Sequence, residues 1–329
     1  MRTEELAKIA KRRRLDEALV MEPANVLALT GVNCDNACLT LKSFYTDFRY
    51  VPMVHRVAPS LRVRDLRKLG GKFRRVGYEA SISHVRFLAL QKLYRGATFV
   101  DIGGDLAKLR AVKTPDEIAR LRAAEALNCE IWREASAQFR AGMTERDMAR
   151  TVQRLMIERG DGEAFATIVC VGKNAAECHH EPDGTVWNGR EPVLVDMGVR
   201  LNGVCSDLTR NLVPKRPRPL YRQVYAVVEA ANRAAIAAAK PGMTAAQLDR
   251  VARQTIVKAG FGKCFGHSTG HGVGYEIHEA PTVSKRDKTV LRPGMVVTIE
   301  PGIYLEGNLG VRIEDLILIT PDGCEVLSN

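Results

Sequence analysis

Residues 142–165 read GMTERDMARTVQRLMIERGDGEAF, and residues 242–265 read GMTAAQLDRVARQTIVKAGFGKCF. The two segments share glycine, methionine, threonine, arginine and phenylalanine residues at equivalent positions, 100 residues apart. Each begins as a capped helix does, with a threonine followed three residues later by Asp147 or Gln247, and each reaches a glycine after an amphipathic stretch. The sequence therefore predicts one helical unit that occurs twice.

The neighbours of the repeated segment are duplicated as well. A helical stretch precedes each copy, at 115–139 and 219–240, and β-rich sequence follows each copy. The first of these stretches opens with Thr114-Pro115-Asp116-Glu117, which has a capping residue, a proline at the first helical position and a glutamate three residues after the cap. Two helix–helix–sheet units related by a pseudo-twofold axis would create a natural central site.

The sequence before this helix has a different pattern, which is typical of a small α/β domain. We place the domain boundary between an N-terminal domain of residues 1–113 and a C-terminal domain of residues 114–329. The elements predicted in the first domain are a basic helix near 3–17, strands near 18–21, 37–41, 75–78 and 97–101, and helices near 84–94 and 104–112.

Composition indicates a soluble globular protein. The 329 residues are 46% hydrophobic and 26% charged, no apolar run approaches the roughly 18 residues of a membrane helix, and no signal peptide is visible. The eight cysteines form no Cys-x-x-Cys pair, which argues against a structural zinc knuckle and a disulfide framework. We therefore expect a cytoplasmic protein without a membrane partner.

The net charge of +11 is confined to the N-terminal domain, where 22 Lys and Arg face 11 Asp and Glu. It includes the run Lys11-Arg12-Arg13-Arg14. A basic surface is one feature of nucleic-acid binding proteins, but neither interleaved aromatic residues nor a nucleic-acid motif accompanies this charge. A solvated helix face is the better interpretation, and we do not expect nucleic acid as a partner.

Two carboxylates flank a predicted hairpin in the first repeat unit. Asn202-Gly203 between alternating apolar residues is a strong two-residue turn signal. With these residues as the turn, Asp196 faces Thr209, and Asp207 lies one diagonal step away on the same face. Two carboxylates that point to one place repel each other unless a positive charge lies between them, so the arrangement favours a bound metal ion.

The second repeat unit has an equivalent pair. A loop centred on Gly307 would place Glu300 directly opposite Glu314. Each half of the repeat thus supplies two carboxylates from a hairpin, and matched pairs after matched helices indicate a metal centre. A single acid of this kind would more often be a surface charge.

Histidines concentrate in the same region of the chain. The stretch Gly266–Gly274 is too rich in glycine for a helix, so we expect extended or looped backbone that closely approaches another segment. Acidic residues with one imidazole suit two hard or borderline divalent ions, which would support hydrolysis by a metal-bound hydroxide. The five histidines of this half are His179, His180, His267, His271 and His278.

The motifs VDMG…SDLTR, HSTGHGVGYEIHE, IEPGIY and VRIED resemble those of the pita-bread metallopeptidases, which include methionine aminopeptidase, aminopeptidase P and prolidase. NVLALTG (25–31) and YTDFRYV (45–51) are similar to the smaller domain that precedes the catalytic one in aminopeptidase P and prolidase. The resemblance implies an α+β fold: a creatinase-like α/β domain followed by a pita-bread catalytic domain with a pseudo-twofold repeat.

The resemblance also implies a ligand set. Asp196 would chelate one metal ion, and His271 and Glu300 the other, while Asp207 and Glu314 would bridge both. Glu300 would additionally carry the proton of the attacking water to the departing amine. The ions expected are two Mn²⁺, with Co²⁺, Zn²⁺ and Fe²⁺ as alternatives.

The remaining roles follow the same resemblance. His179 and His278 would contact substrate and stabilise the oxyanion, and His267 and Arg312 would help to form the substrate pocket on the proline side. His180 has no counterpart to which a role can be assigned.

The implied activity is that of a Xaa-Pro aminopeptidase or dipeptidase acting on peptides with proline at the second position, as a homodimer. Two alternatives stay open from sequence. One is a peptidase with the specificity of methionine aminopeptidase; the other is a non-catalytic peptide- or protein-binding module on the same fold.

Overall fold

A computed structural model describes residues 2–328 of the chain. The chain divides into two compact units, one extending to Arg110 and the other beginning at Ala111. Within the described residues, no helix has the length and apolar character needed to cross a membrane.

The first unit has the mixed α/β character that its sequence predicts. Strands β1, β5 and β6 form one parallel sheet, and β2, β3 and β4 form another in which β2 is antiparallel to β3. The elements are α1 (Thr3–Arg13), β1 (Glu17–Ala18), α2 (Pro23–Thr30), β2 (Ala37–Leu39), β3 (Phe44–Thr46), α3 (Val51–Val57), β4 (Val63–Asp65), β5 (Arg75–Tyr78), α4 (His84–Leu93), β6 (Thr98–Asp101) and α5 (Gly103–Ala111).

The basic helix α1 is shorter than predicted because Arg14 has a left-handed conformation, with φ of 55°, that ends it. Arg12 and Arg13 both bind the buried carboxylate of Asp105 on α5, at 2.8 Å each. Part of the basic run therefore fastens two helices of this unit together.

The second unit contains the duplicated segment. Its strands form a three-stranded sheet β7–β8–β11, a five-stranded sheet β13–β12–β14–β17–β18 and two ribbons. The elements are α6 (Pro115–Gln138), α7 (Glu145–Arg159), β7 (Ile168–Val171), β8 (Val193–Met197), β9 (Arg200–Leu201), β10 (Val204–Cys205), β11 (Leu208–Leu212), α8 (Pro219–Ala238), α9 (Ala245–Lys258), β12 (Gly270–Gly272), β13 (Glu279–Val283), β14 (Val296–Ile299), β15 (Gly302–Leu305), β16 (Leu309–Arg312), β17 (Asp315–Ile319) and β18 (Cys324–Val326).

The predicted capping signals are confirmed. Thr144 and Thr244 each accept a hydrogen bond from the backbone N–H three residues later, and Asp147 and Gln247 bond back to the threonine N–H. Each such reciprocal pair satisfies two backbone donors that a helix start would otherwise leave free. Thr114 and Glu117 form the same arrangement at the start of α6.

Each helix pair covers its own apolar cluster. Helices α6 and α7 contribute Ile131, Met148 and Val152 to one cluster, against the β7–β8 region. Helices α8 and α9 contribute Val224 and Leu248 to a second cluster, together with residues of β14 and β17. The two halves thus bury separate hydrophobic faces, and polar side chains are left to fill the region where the sheets meet.

The hairpin registers also agree with prediction. Thr209 pairs with Asp196, and the turn residues Asn202 and Gly203 have φ of 51° and 77°, as a two-residue hairpin turn requires. In the second half, Gly302 pairs with Arg312, and on the other side of the bend Ile299 pairs with Asp315. Glu300 and Glu314 therefore face each other at the bend between these two ladders.

Candidate metal centre

The five predicted ligands come together where the two halves meet. Donor atoms of Asp207, His271 and Glu314 all lie within 4.8 Å of one another. His271 Nε2 is 3.5 Å from Asp207 Oδ2 and 3.5 Å from Glu300 Oε1. Asp196 Oδ1 is buried and has no hydrogen-bond partner among the described residues.

The glycine-rich backbone places His271 in this centre. A Cβ atom at Gly270 would lie 1.9 Å from the carbonyl oxygen of Thr298 on β14, so only glycine allows the two strands to approach this closely. The His271 N–H then donates to Thr298 Oγ1 at 3.1 Å. The close approach predicted for this stretch is confirmed.

The electrostatics of the centre are unfavourable without a cation. Burial raises the pKa values of Asp207 and Glu314 well above their ordinary range, and the neighbouring carboxylates raise both further. Burial also raises the pKa of Glu300 to about 8, with Asp196 as a further cause. Acids that resist ionisation in this way are stabilised as carboxylates when a divalent cation lies between them.

The imidazole fits the same interpretation. Burial lowers the pKa of His271 to about 4, so the ring is neutral. Its Nδ1 donates to the carbonyl oxygen of Gly272 at 3.1 Å, which leaves the lone pair of Nε2 directed at the carboxylates of Asp207 and Glu300. A lone pair that faces carboxylate oxygens is repelled unless a metal ion lies between them, and the donor set therefore fits divalent metal.

A hydrogen-bond network holds the Asp196 side of the centre. Arg312 Nη2 donates to Asp196 Oδ2 at 2.6 Å, while Nε donates to Thr209 Oγ1 at 3.0 Å and Nη1 to Tyr304 Oη at 2.9 Å. Thr209 Oγ1 in turn donates to Glu314 Oε2 at 2.7 Å. One buried guanidinium thus orients ligands from both halves and leaves Asp196 Oδ1 free to bind a cation.

Sequence reasoning missed three of the supporting residues. Thr209 and Tyr304 follow the strand alternation, and nothing in their local sequence indicates a polar role. Glu125 is fully buried on α6, where its carboxylate accepts from the Asp207 N–H at 3.1 Å and from Ser328 Oγ at 2.6 Å, and burial raises its pKa to about 7. A glutamate on a long helix normally faces solvent. The position of Glu125 on the buried face of α6 was the one sequence signal that could have indicated its burial.

Three of the four other histidines surround the centre as expected. The rings of His271 and His278 are 4.4 Å apart. His267 Nδ1 lies 4.0 Å from Glu300 Oε2, and His267 Nε2 is 2.9 Å from Tyr304 Oη. His179 is exposed at the wall of a cavity of about 690 Å³ that is also lined by the predicted ligands Asp207, His271, Glu300 and Glu314.

The fourth, His180, binds away from the acids of the centre. Its Nε2 lies 2.7 Å from the buried carboxylate of Glu145 at the start of α7. The structure therefore separates two adjacent histidines: His179 is exposed at the cavity wall, and His180 is held by Glu145.

The fold and this centre together define a metal-dependent hydrolase built from two duplicated halves. The chain belongs to metallopeptidase family M24, which it matches over residues 119–321, and residues 2–112 match the creatinase/prolidase N-terminal domain.

Individual relatives agree with this assignment. The chain is 33% identical to the Xaa-Pro dipeptidase of Pyrococcus furiosus over 100% of this chain and 97% of that one. It is 39% identical to the Xaa-Pro dipeptidase of Lactobacillus helveticus over 76% of this chain and 68% of the relative. The crystal structure of the prolidase from Pyrococcus horikoshii OT3 superposes with a TM-score of 0.95 at 31% identity, over 100% of this chain and 98% of that one.

Proposed function

We propose that this protein is a dinuclear-metal exopeptidase that hydrolyses Xaa-Pro dipeptides. The observation that carries the proposal is the convergence of Asp207, Glu300, Glu314 and the neutral His271 beside an open cavity, with Asp196 linked to them through Arg312 and Thr209. The similarity to Xaa-Pro dipeptidases along the whole chain supports the substrate class. It also favours a dipeptidase over an aminopeptidase.

We assign the ligands by their positions. Asp196 would hold one cation, His271 and Glu300 the other, and Asp207 and Glu314 would bridge both. Two divalent cations bound there would acidify water and polarise the scissile carbonyl. The same donors accept several divalent metals, and we propose Mn²⁺ as the ion used, with Co²⁺, Zn²⁺ or Fe²⁺ as substitutes.

The protein's own groups would carry the proton and hold the substrate. Glu300 would take the proton of the attacking water and deliver it to the proline nitrogen as the peptide bond breaks. His278, in ring contact with His271, and His179, at the cavity wall, would donate hydrogen bonds to the developing oxyanion and the substrate backbone. His267, held by Tyr304, would form the side of the pocket that receives the proline ring.

Two further properties belong to the same proposal. We propose a homodimer, as expected for this family. We also propose a cytoplasmic location, which is supported by the eight unpaired cysteines, since such thiols persist in reducing compartments.

The substrate test compares matched peptides. Purified protein loaded with Mn²⁺, Co²⁺, Zn²⁺ or Fe²⁺ in turn is incubated with a Xaa-Pro dipeptide, a Xaa-Pro-Yaa tripeptide, a Xaa-Ala dipeptide and a Met-Ala peptide. We expect release of proline from the first and little turnover of the others. The absence of Xaa-Pro cleavage with every metal would refute the proposed function, and preferential cleavage of the Met-Ala peptide would replace it.

Substitution of Arg312 by lysine tests the orienting network. Lysine keeps the positive charge but cannot bond Asp196, Thr209 and Tyr304 at once. We expect metal affinity or kcat/KM to fall by about 10–100-fold, as for other groups that orient metal ligands. Calorimetric Mn²⁺ titration and steady-state kinetics measure both quantities. Arg233→Lys, at an exposed helix pair, is the matched control, and equal behaviour of the two variants would contradict the assigned role.

A further inference from the structure

The loop between β7 and β8 carries His179 to the cavity, and it has little regular structure of its own. A Cβ atom at Gly310 would lie 1.7 Å from the carbonyl oxygen of Ala175, so strand β16 packs tightly against the start of this loop. From Glu177 to Thr185 the backbone forms no strand or helix. Something other than secondary structure must therefore fix His179.

The buried carboxylate of Glu145 is the centre of the contacts that hold this loop. Oε1 accepts from the Val171 N–H at 2.6 Å and from Asn174 Nδ2 at 2.9 Å. Oε2 accepts from His180 Nε2 at 2.7 Å and from the Asp183 N–H at 3.1 Å. One fully buried side chain thus binds the last residue of β7 and three points along the loop.

His180 is the basic member of this set. Its Nδ1 lies 3.3 Å from the exposed carboxylate of Glu177, so both ring nitrogens face carboxylates. Burial opposes the charged form, but the hydrogen bonds to Glu145 and Glu177 outweigh it and raise the pKa of His180. With two donors on each Glu145 oxygen, the carboxylate is saturated, which favours an ion pair over a metal site formed with Asp183.

The second half of the molecule provides an internal comparison for the backbone. Glu145 N–H donates to the Thr185 carbonyl at 3.1 Å, and the Ala245 N–H donates to the Thr289 carbonyl at 2.9 Å. The preceding residue forms an isolated β-bridge in each half: Thr144 pairs with Val186, and Thr244 pairs with Val290. The backbone support of the loop is therefore duplicated.

The carboxylate is not duplicated. Ala245 occupies the position of Glu145, and α9 begins there with the same capping box as α7. A helix start of this design consequently needs no glutamate at this position. The Glu145 carboxylate serves the loop, and only the half whose loop carries His179 has it.

We propose that the ion pair between Glu145 and His180 is the anchor that positions His179 for the substrate. The inference rests on the proposed function for its effect on catalysis, but the anchor itself is a structural claim. His180 is on this view a positioning residue: it acts through its neighbour and not on the substrate.

The test combines hydrogen exchange with kinetics in His180→Ala, His180→Gln and Glu145→Gln. In His180→Ala we expect amide exchange within 177–185 to accelerate about tenfold or more, since a charged hydrogen bond is lost. The equivalent second-half segment, 284–290, should keep its exchange rate. Glutamine at 180 can still donate to Glu145, so exchange in His180→Gln should stay close to that of the wild type.

Kinetics on a Xaa-Pro dipeptide supplies the second measurement. We expect kcat to fall about 10–100-fold in His180→Ala and Glu145→Gln, because His179 would be displaced from the substrate. His180→Gln should recover part of this loss. Glu158→Gln, an exposed change on the same helix, is the matched control. Metal content should equal that of the wild type in every variant.

Several outcomes would overturn the anchor. These are unchanged exchange in 177–185, equal acceleration in 284–290, equal loss of kcat in His180→Ala and His180→Gln, or a further bound metal ion that disappears with His180. If the wild type fails to cleave Xaa-Pro peptides, the proposed function fails, while the exchange comparison still decides the anchor.

Discussion

Replacement of Asp207 by asparagine is expected to lower kcat/KM for a Xaa-Pro dipeptide by more than about 100-fold. Substitution of a residue that only orients a metal ligand already lowers metal affinity or activity about 10–100-fold. Asp207 is proposed to bind both ions directly, so its loss should cost more. Its Oδ2 lies 3.5 Å from His271 Nε2, and its backbone N–H is fixed by Glu125, so the neutral amide would occupy the same place without the charge. Steady-state kinetics with metal analysis of the purified variant measures the effect.

The matched control is Asp116→Asn, which makes the same chemical change at an exposed site on α6. Far-ultraviolet circular dichroism should show that both variants are folded. His271→Ala is expected to behave like Asp207→Asn, because it removes the one imidazole among the proposed ligands. Full turnover in either ligand variant would refute the assigned ligand set.

Removal of the divalent ions is expected to lower the melting temperature substantially. A ligand at 100 times its dissociation constant stabilises the native state by about 2.7 kcal/mol. For a unit of this size such an increment corresponds to roughly 5–10 °C per site. The physical cause is the mutual repulsion of the buried acids Asp207, Glu300 and Glu314, which the cations relieve. Calorimetric melting with chelator and with saturating Mn²⁺ measures the difference.

Asp207→Asn provides an internal check on that cause. In chelator this variant should melt no lower than the wild type, because it lacks one of the repelling charges. Addition of Mn²⁺ should raise the melting temperature of this variant much less than that of the wild type. Identical melting temperatures of the wild type with and without metal would contradict the electrostatic account.

The sequence predicted most of the catalytic unit because its signals are local. The caps at Thr114, Thr144 and Thr244 and the turn at Asn202-Gly203 depend on a few adjacent residues, and each stands where expected. The strand register then follows from the turn, which is why the sequence alone predicts that Asp196 lies opposite Thr209. In this hairpin the register that begins at the turn is kept as far as the Val193–Leu212 pair.

The parts that were missed depend on contacts between distant segments. Glu125 and Tyr304 have ordinary local sequences, and their roles arise only when α6 and β15 pack beside the ligands. In the first unit, α2, α3, β3 and β4 were not predicted, since helices of 8 and 7 residues and strands of 3 are too short for hydrophobic periodicity to show. His180 had no assigned role from sequence because its partner, Glu145, lies 35 positions earlier.

The division of the ligands between the two halves has a consequence for biosynthesis. Asp196 and Asp207 come from the first half, whereas His271, Glu300 and Glu314 come from the second, close to the end of the described chain. A nascent polypeptide that has left the ribosome only as far as the first hairpin has Asp196 and Asp207 but none of the three proposed ligands of the second half. With the proposed ligand set, peptide cleavage can begin only after translation has passed Glu314.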